Sequence, residues 1–279
     1  MTDYSRTPSV LTEHVLEHHG CSLYYWTGGD TNRPLVVMMH GATMDHRMFN
    51  DQITSLASDY SVLVWDARGH GKSQPGGDDL SLDLYAEDMV HILDALGVEK
   101  FAAVGQSLGA YIAQHLYLRV PERMQAMVVI GSTPISKAYS RVEIWALKAS
   151  LPFFELMPYR SFTQLVANST AVKEEVRQYA LEAARNIPKE EFSRIWKVVT
   201  LAVNNRGQPG FQINIPLLLT HGDKDRTGTI KRDMPRWAEA EQQAVYHVIP
   251  DAGHNANQDN PEVFNELLQN FLSRVFVSQ

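Results

Sequence analysis

Gly105-Gln106-Ser107-Leu108-Gly109 is the stretch whose reading decides the fold. Lys100 to Val104 before it form a short apolar run suited to a buried strand, and Ala110 to Leu118 after it read as a helix. Strand, Gly-x-Ser-x-Gly, helix is the pattern of a nucleophilic serine on a tight, strained turn. The glycines serve a steric purpose, because the serine backbone sits in an unfavourable conformation and its neighbours two positions away must lack bulk. Such a turn lifts the Ser107 hydroxyl off the sheet. It also brings the Leu108 N–H to a helix start, where developing negative charge is stabilised.

Working outward, strands and helices alternate on both sides of this turn. Leu35 to Met39, Ser61 to Trp65, Ala126 to Gly131, Pro216 to Thr220 and Val245 to Ile249 are apolar runs of the kind found in strands buried on both faces. Ser81 to Leu96 has a helical repeat, with Leu82, Ala86, Met89, Val90, Leu93 and Leu96 on one face. Ser81 can cap its start and Gly97 its end. Alternation of this kind implies a parallel sheet with helices on both faces, an α/β fold. Functional groups then belong at the carboxyl ends of the strands, where His40, Asp66 and Ser107 fall. Thr12 to Glu17 and Cys21 to Thr27 read as two further strands joined at Gly20.

Between 135 and 214 the alternation stops. Helices are expected at about Lys137 to Leu151, Tyr159 to Asn168, Val172 to Asn186 and Lys189 to Asn204, punctuated by Pro152, Pro158 and Pro188. Trp145, Phe153, Phe154, Met157, Phe162 and Trp196, with Leu156, give this segment many large apolar groups. They can pack helix on helix or line a pocket. The expected organisation is a core of residues 1–134 and 215–279 with a helical cap of residues 135–214.

A serine hydroxyl needs an adjacent base, and the base needs a carboxylate to hold its tautomer. His254 follows the last strand and Asp225 the strand before it. Ser, Asp, His is the chain order that accompanies Gly-x-Ser-x-Gly on such a turn. Asp223 and Asp251 lie near enough in sequence to compete with Asp225.

Composition narrows the field further. A chain of 279 residues with 44% hydrophobic and 20% charged residues has ordinary globular composition. The net charge of -7 gives no electrostatic case for nucleic acid or an anionic membrane. A lone cysteine, Cys21, reads as a small packing residue. No secretory signal or spanning segment is read, so a cytoplasmic location is expected. His14, His18 and His19 lack a carboxylate or cysteine at a recognised spacing, so they read as exposed turn histidines, and no metal is expected. Gly69 and Gly71 lack the third glycine of a phosphate-binding turn, so no nucleotide cofactor is expected either.

Five ordered signals resemble the α/β-hydrolase superfamily over nearly the whole chain. They are His40-Gly41-Ala42, Asp66 to Ser73, Gly105 to Gly109, Gly222-Asp223-Lys224-Asp225 and Ala252-Gly253-His254. The resemblance implies Ser107 as nucleophile, His254 as general base and then acid, and Asp225 as its orienting carboxylate. The family's spacing from Gly222 favours Asp225 over Asp223. It implies an oxyanion hole from the N–H groups of Ala42 and Leu108. His40, Asp66 and Arg68 would then be structural, with His70 an outside candidate for the site. The Gly41 to Asp45 loop, with Phe49 and Gln52, is similar to that of enol-lactonases. A serine nucleophile sets the chain apart from dehalogenases and epoxide hydrolases of this fold, which use aspartate there. The expected activity is cofactor-free cleavage of a carboxylic ester or lactone with a small or medium apolar acyl group or ring, by a monomer or homodimer. Amidase, carbon–carbon hydrolase, perhydrolase and ligand-binding signalling roles share the same triad.

Overall fold

The computed structural model describes residues 3–203 and 206–277, apart from the side chains of residues 146, 148, 150–155 and 277. Strands β1 (Leu11–His18) and β2 (Cys21–Gly28) form an antiparallel hairpin, and β2 pairs antiparallel with β4 (Ser61–Trp65). The rest of the sheet is parallel: β3 (Leu35–Met39), β5 (Phe101–Gln106), β6 (Met124–Ile130), β7 (Leu217–Gly222) and β8 (Ala244–Ile249). The eight strands lie in the order β1-β2-β4-β3-β5-β6-β7-β8.

That order places a switch point at the centre. The chain leaves β3 to one side to make β4, then returns to the other side to make β5. The loops after β3 and β5 therefore diverge and leave a crevice between their carboxyl ends, the place where open α/β sheets bind ligands. Ala42 follows the first of these strands and Ser107 the second.

Side-chain alternation divides the interior into two cores. Val37, Met39, Leu63 and Trp65 point to one face with Ala103 and Val129. Val36, Met38, Val62 and Val64 point to the other with Val104 and Val128. A run that is apolar at every position is thus used on both sides. The first face is covered by α2 (Leu82–Ala95), α3 (Leu108–Arg119) and α8 (Ile230–Ala240), the second by α1 (Asn50–Leu56) and α10 (Pro261–Val277). The caps of α2 are those its sequence encodes. Ser81 Oγ accepts the Leu84 N–H at 3.1 Å, and Gly97 adopts φ +65° with its N–H on the Asp94 carbonyl.

Among the described residues, four helices separate β6 from β7: α4 (Arg141–Leu156), α5 (Tyr159–Thr170), α6 (Glu174–Arg185) and α7 (Lys189–Ala202). The expected end of the first at Leu151, before Pro152, is not kept. The helix starts later and runs through the proline, whose fixed φ is helical and whose missing N–H removes a single bond. Asn204, the expected end of the last, lies outside the described residues. Phe162 and Phe192 enter the first core, and Val176, Tyr179 and Ala180 the second. Trp145 and Leu156 instead face solvent, at 70% and 86% exposure, so their size gives no packing here. The side chains of Phe153 and Phe154 lie outside the described residues. A short helix, α9 (Ala256–Asp259), follows the His254 loop and was not expected from the sequence. Among the described residues, no helix is long and apolar enough to cross a membrane.

Candidate active site

The turn between β5 and α3 is strained where the sequence requires it. Ser107 has φ +50° and ψ −109°, a conformation that costs a non-glycine residue on the order of 1–3 kcal/mol. Its surroundings hold it there. The Ser107 N–H donates to the Ile130 carbonyl at 2.9 Å, and its own carbonyl accepts from Ala110 and Tyr111. The flanking glycines permit close approach rather than unusual dihedrals. A Cβ on Gly105 would stand 2.4 Å from the Gly109 carbonyl oxygen, and one on Gly109 only 1.9 Å from that of Met39. The second contact presses the start of α3 against the end of β3, which draws the Leu108 and Ala42 segments together.

Residue Leu108 opens α3, so its N–H has no intrahelical acceptor. The Gly41 to Met44 turn is closed by the Met44 N–H on the Gly41 carbonyl, at 3.2 Å. Within it Thr43 has φ +67°, a marked outlier for a β-branched residue. Among the described residues neither Ala42 N–H nor Leu108 N–H has a protein acceptor. Two strained residues and two free donors thus flank one crevice.

At the ends of β7 and β8 the structure brings His254 and Asp225 together. His254 Nδ1 lies 3.0 Å from Asp225 Oδ2, with both side chains buried. Burial pushes the Asp225 carboxyl up. Hydrogen bonds from His254 and the Thr227 N–H, with the attraction a protonated His254 would add, outweigh burial and hold it below the usual carboxylate range. An ionised acceptor at Nδ1 places the imidazole proton there and leaves Nε2 with its lone pair. Asp223 is occupied elsewhere, accepting the Ala252 N–H at 3.0 Å, and Asp251 is an exposed partner of Lys224. The carboxylates of this loop therefore play different parts, since Asp225 meets the histidine and Asp223 shapes the backbone.

Gln106 links this pair to the serine turn. Its Nε2 donates to the His254 carbonyl at 3.0 Å, while its Oε1 occupies the space a Cβ on Gly41 would need, 1.9 Å away. One side chain therefore touches the Gly41 turn, the serine turn and the His254 loop. Gly131, next to the acceptor of the Ser107 N–H, packs on the His254 ring, 3.0 Å from its Nδ1 to a Cβ built there. The only hint of Gln106 in the sequence is a polar side chain ending an apolar strand.

Asp259 is not marked by any local signal in the sequence. Its carboxylate accepts N–H groups of Gly253, Val172 and Lys173, tying the His254 loop to the start of α6. Tyr179 of α6 makes a second tie. Its hydroxyl accepts the Asp45 N–H and lies 3.2 Å from the Asp45 carboxylate, which Arg47 also holds.

The remaining polar residues of the core loops bind backbone groups or one another. His40 Nε2 accepts the Ala67 N–H at 2.9 Å and its Nδ1 donates to the Gly41 carbonyl at 2.8 Å. Asp66 accepts the N–H groups of His46 and Lys72. His70 is fully buried against the His40 ring, and burial pushes it down to about 3, so it stays neutral. Asp45, His46 and Asp66 lie close together, but Arg47 holds Asp45 and both His46 nitrogens are used, by Asp66 and Thr7. Cys21 is buried, as a packing residue should be. A separate cleft of about 580 Å³, lined by Lys137, Glu143, Phe211, Arg232, Asp233 and Trp237 among others, includes none of Ser107, Asp225 or His254.

Comparison with known proteins agrees with this architecture. The chain is 24% identical over 270 residues to 3-oxoadipate enol-lactonase 1 of Acinetobacter baylyi, covering 94% of this chain and 97% of that protein. It is 26% identical over 258 residues to the pimeloyl-[acyl-carrier protein] methyl ester esterase of Pectobacterium carotovorum, covering 88% and 96%. The crystal structure of the enol-lactonase from Burkholderia xenovorans LB400 superposes with a TM-score of 0.78 over 93% of this chain and all of that one, at 18% identity, a likeness of fold. Residues 34–261 match the family described as alpha/beta hydrolase fold; with its mostly parallel eight-stranded sheet, the chain belongs to the alpha/beta hydrolase family.

Proposed function

We propose that this hydrolase cleaves a carboxylic ester or lactone through an acyl-enzyme on Ser107, His254 and Asp225. The observation that carries the reading is the buried His254–Asp225 pair tied by Gln106 to the strained Ser107 turn. In the proposed sequence Ser107 Oγ attacks the carbonyl carbon as His254 Nε2 takes its proton. The N–H groups of Leu108 and Ala42 stabilise the oxyanion. His254 then returns the proton to the leaving alkoxide, which in a lactone stays attached to the acyl group. Water, deprotonated by the same histidine, releases the acid and regenerates the serine. Asp225 holds the tautomer and offsets the charge on the imidazolium. No cofactor enters any step.

Residues 135–214 act in this reading as a cap over the core formed by 1–134 and 215–279. Phe162, Met157 and Trp196 belong to the same apolar cluster as Leu108 and Ala42, which supports a small apolar acyl group or ring as substrate. Ester and lactone relatives of similar length point the same way.

The test is a fluorophosphonate probe followed by peptide mapping, with turnover of short p-nitrophenyl esters and simple lactones in parallel. Label on Ser107 and hydrolysis lost in Ser107→Ala are expected. Full turnover in Ser107→Ala sinks the mechanism. Labelling without turnover of any ester or lactone sinks the substrate class.

A further inference from the structure

A histidine cluster lies outside the site, where the β1–β2 hairpin meets α2. His18 and Cys21 are paired residues at the end of the hairpin, so its loop is the two residues His19 and Gly20. Both have positive φ, +45° and +72°, as the tight primed turn requires. The turn sets the His18 and His19 rings side by side, with centroids 4.1 Å apart. Helix α2 carries Glu87 and, one turn on, His91 towards them. His19 Nε2 is 3.7 Å from Glu87 Oε1, and the His91 ring stacks on His18 at 4.3 Å.

We propose that His18, His19 and Glu87 form a site for one divalent transition-metal ion of the zinc type. One ligand atom from each of the three residues lies within 4.8 Å of the others. Ligands at zinc-like bond lengths of 2.0–2.1 Å stand about 3.3 Å apart around a tetrahedral ion, so small side-chain rotations close the site. The supporting shell is already in place. His18 Nδ1 is 2.7 Å from Asp88 Oδ1, which commits that nitrogen to a carboxylate and leaves Nε2 for a metal. A carboxylate behind the histidine is the usual companion of a metal-ligating imidazole. Asp88 is fully buried and is itself held by Arg68, whose guanidinium also donates to the carbonyls of His18 and His19. The guanidinium thereby fixes the hairpin tip to α2 and is neutralised by Asp88. Imidazole and a single carboxylate select zinc, nickel or copper over magnesium or calcium. Water would fill the remaining coordination position. The sequence shows no carboxylate at a recognised spacing from these histidines; α2 supplies one from about seventy positions away.

Bound there, the ion would tie the hairpin at the sheet edge to α2, so its effect is read in stability. The experiment titrates zinc sulfate into the tag-free full chain by calorimetry and follows the unfolding temperature, with magnesium as control. Binding of one zinc per chain, a raised unfolding temperature and no response to magnesium are expected. His19→Ala and Glu87→Gln should each weaken zinc binding at least about 10-fold, while keeping the metal-free unfolding temperature of the parent. If one variant lowers that temperature, the other carries the comparison. No zinc binding by the parent, or parental affinity in a well-folded variant, overturns the site.

Discussion

The loops at the carboxyl edge of the sheet and the helical segment between β6 and β7 are built on different terms. At the edge, position is fixed by exclusion. Cβ atoms on Gly105, Gly109 and Gly222 would meet neighbouring backbone at 1.9–2.4 Å, so these backbones cannot separate or shift without losing the contacts. In the helical segment, position is fixed by apolar faces that still leave Trp145 at 70% exposure. Steric exclusion is specific to one residue, glycine, and therefore leaves a mark in sequence. Amphipathic packing tolerates many residues, so it records that a helix exists and not what it faces. This is why the loops of the candidate site are easier to read from the sequence than what the helical segment faces.

The largest effect should separate two carboxylates within the edge itself. Asp225→Asn leaves the shape of the loop and takes away the charge proposed to fix the His254 tautomer; under the proposed mechanism kcat for ester hydrolysis is expected to fall roughly 10⁴-fold. Asp223→Asn keeps one acceptor for the Ala252 N–H and should cost no more than about 1 kcal/mol of stability, with kcat within a few-fold. Steady-state kinetics on both variants checks the pair. Equal losses would erase the distinction drawn between them.

Next comes packing. Gly109→Ala drives a methyl group into the Met39 carbonyl and should lower stability by roughly 3 kcal/mol in urea titration, or prevent folding. A parental unfolding midpoint for this variant would show that the edge yields more than its contacts imply.

A smaller effect follows from the buried histidines beneath the edge. Burial holds His70 at about 3, and His40 is lowered in the same direction by the same cause. Unfolding restores the ordinary histidine pKa, near 6.5, so between the two values the unfolded chain binds more protons. Stability therefore falls as pH drops through 6.5 and levels off below about 3. His70 alone should remove about 2 kcal/mol between pH 7 and pH 5. In His70→Phe that slope should be shallower by this amount, read from urea midpoints across the range. An unchanged slope would mean the ring charges inside the fold.

The least effect is expected on the outward face of the helical segment. Trp145→Ala should change stability by no more than about 0.5 kcal/mol, because the side chain has little packing to lose. A substantial loss in urea titration would bring that face into the comparison on the same footing as the edge.

Particular residues show where the sequence ran out. Ser81 and Gly97 cap α2 because capping is local chemistry, settled within four positions. The apolar strand segments and the glycines of the serine turn were legible because they too are local patterns. Asp225 and His254 could be named because each follows a recognisable strand and the family's spacing from Gly222 favours Asp225 over Asp223, although their meeting at 3.0 Å is a product of the sheet order. Asp259, Tyr179 and Gln106 were not legible as parts of the site. Each acts on a backbone group brought near only by folding, Tyr179 across 134 positions to Asp45 and Gln106 across 148 to His254. The proline within α4 and the exposed Trp145 mark a different limit: a residue's preference states what is favoured on average, and the fold around it decides.

The central claim is that Ser107 is the nucleophile set in the strained turn. Intact-protein mass spectrometry after brief exposure to a slowly released p-nitrophenyl ester tests it most directly. The parent chain should gain the mass of one acyl group, mapped to Ser107, and lose it with time in water, while Ser107→Ala gains nothing. An acyl group on any other residue, or an ester turned over at the parental rate by Ser107→Ala, would contradict it.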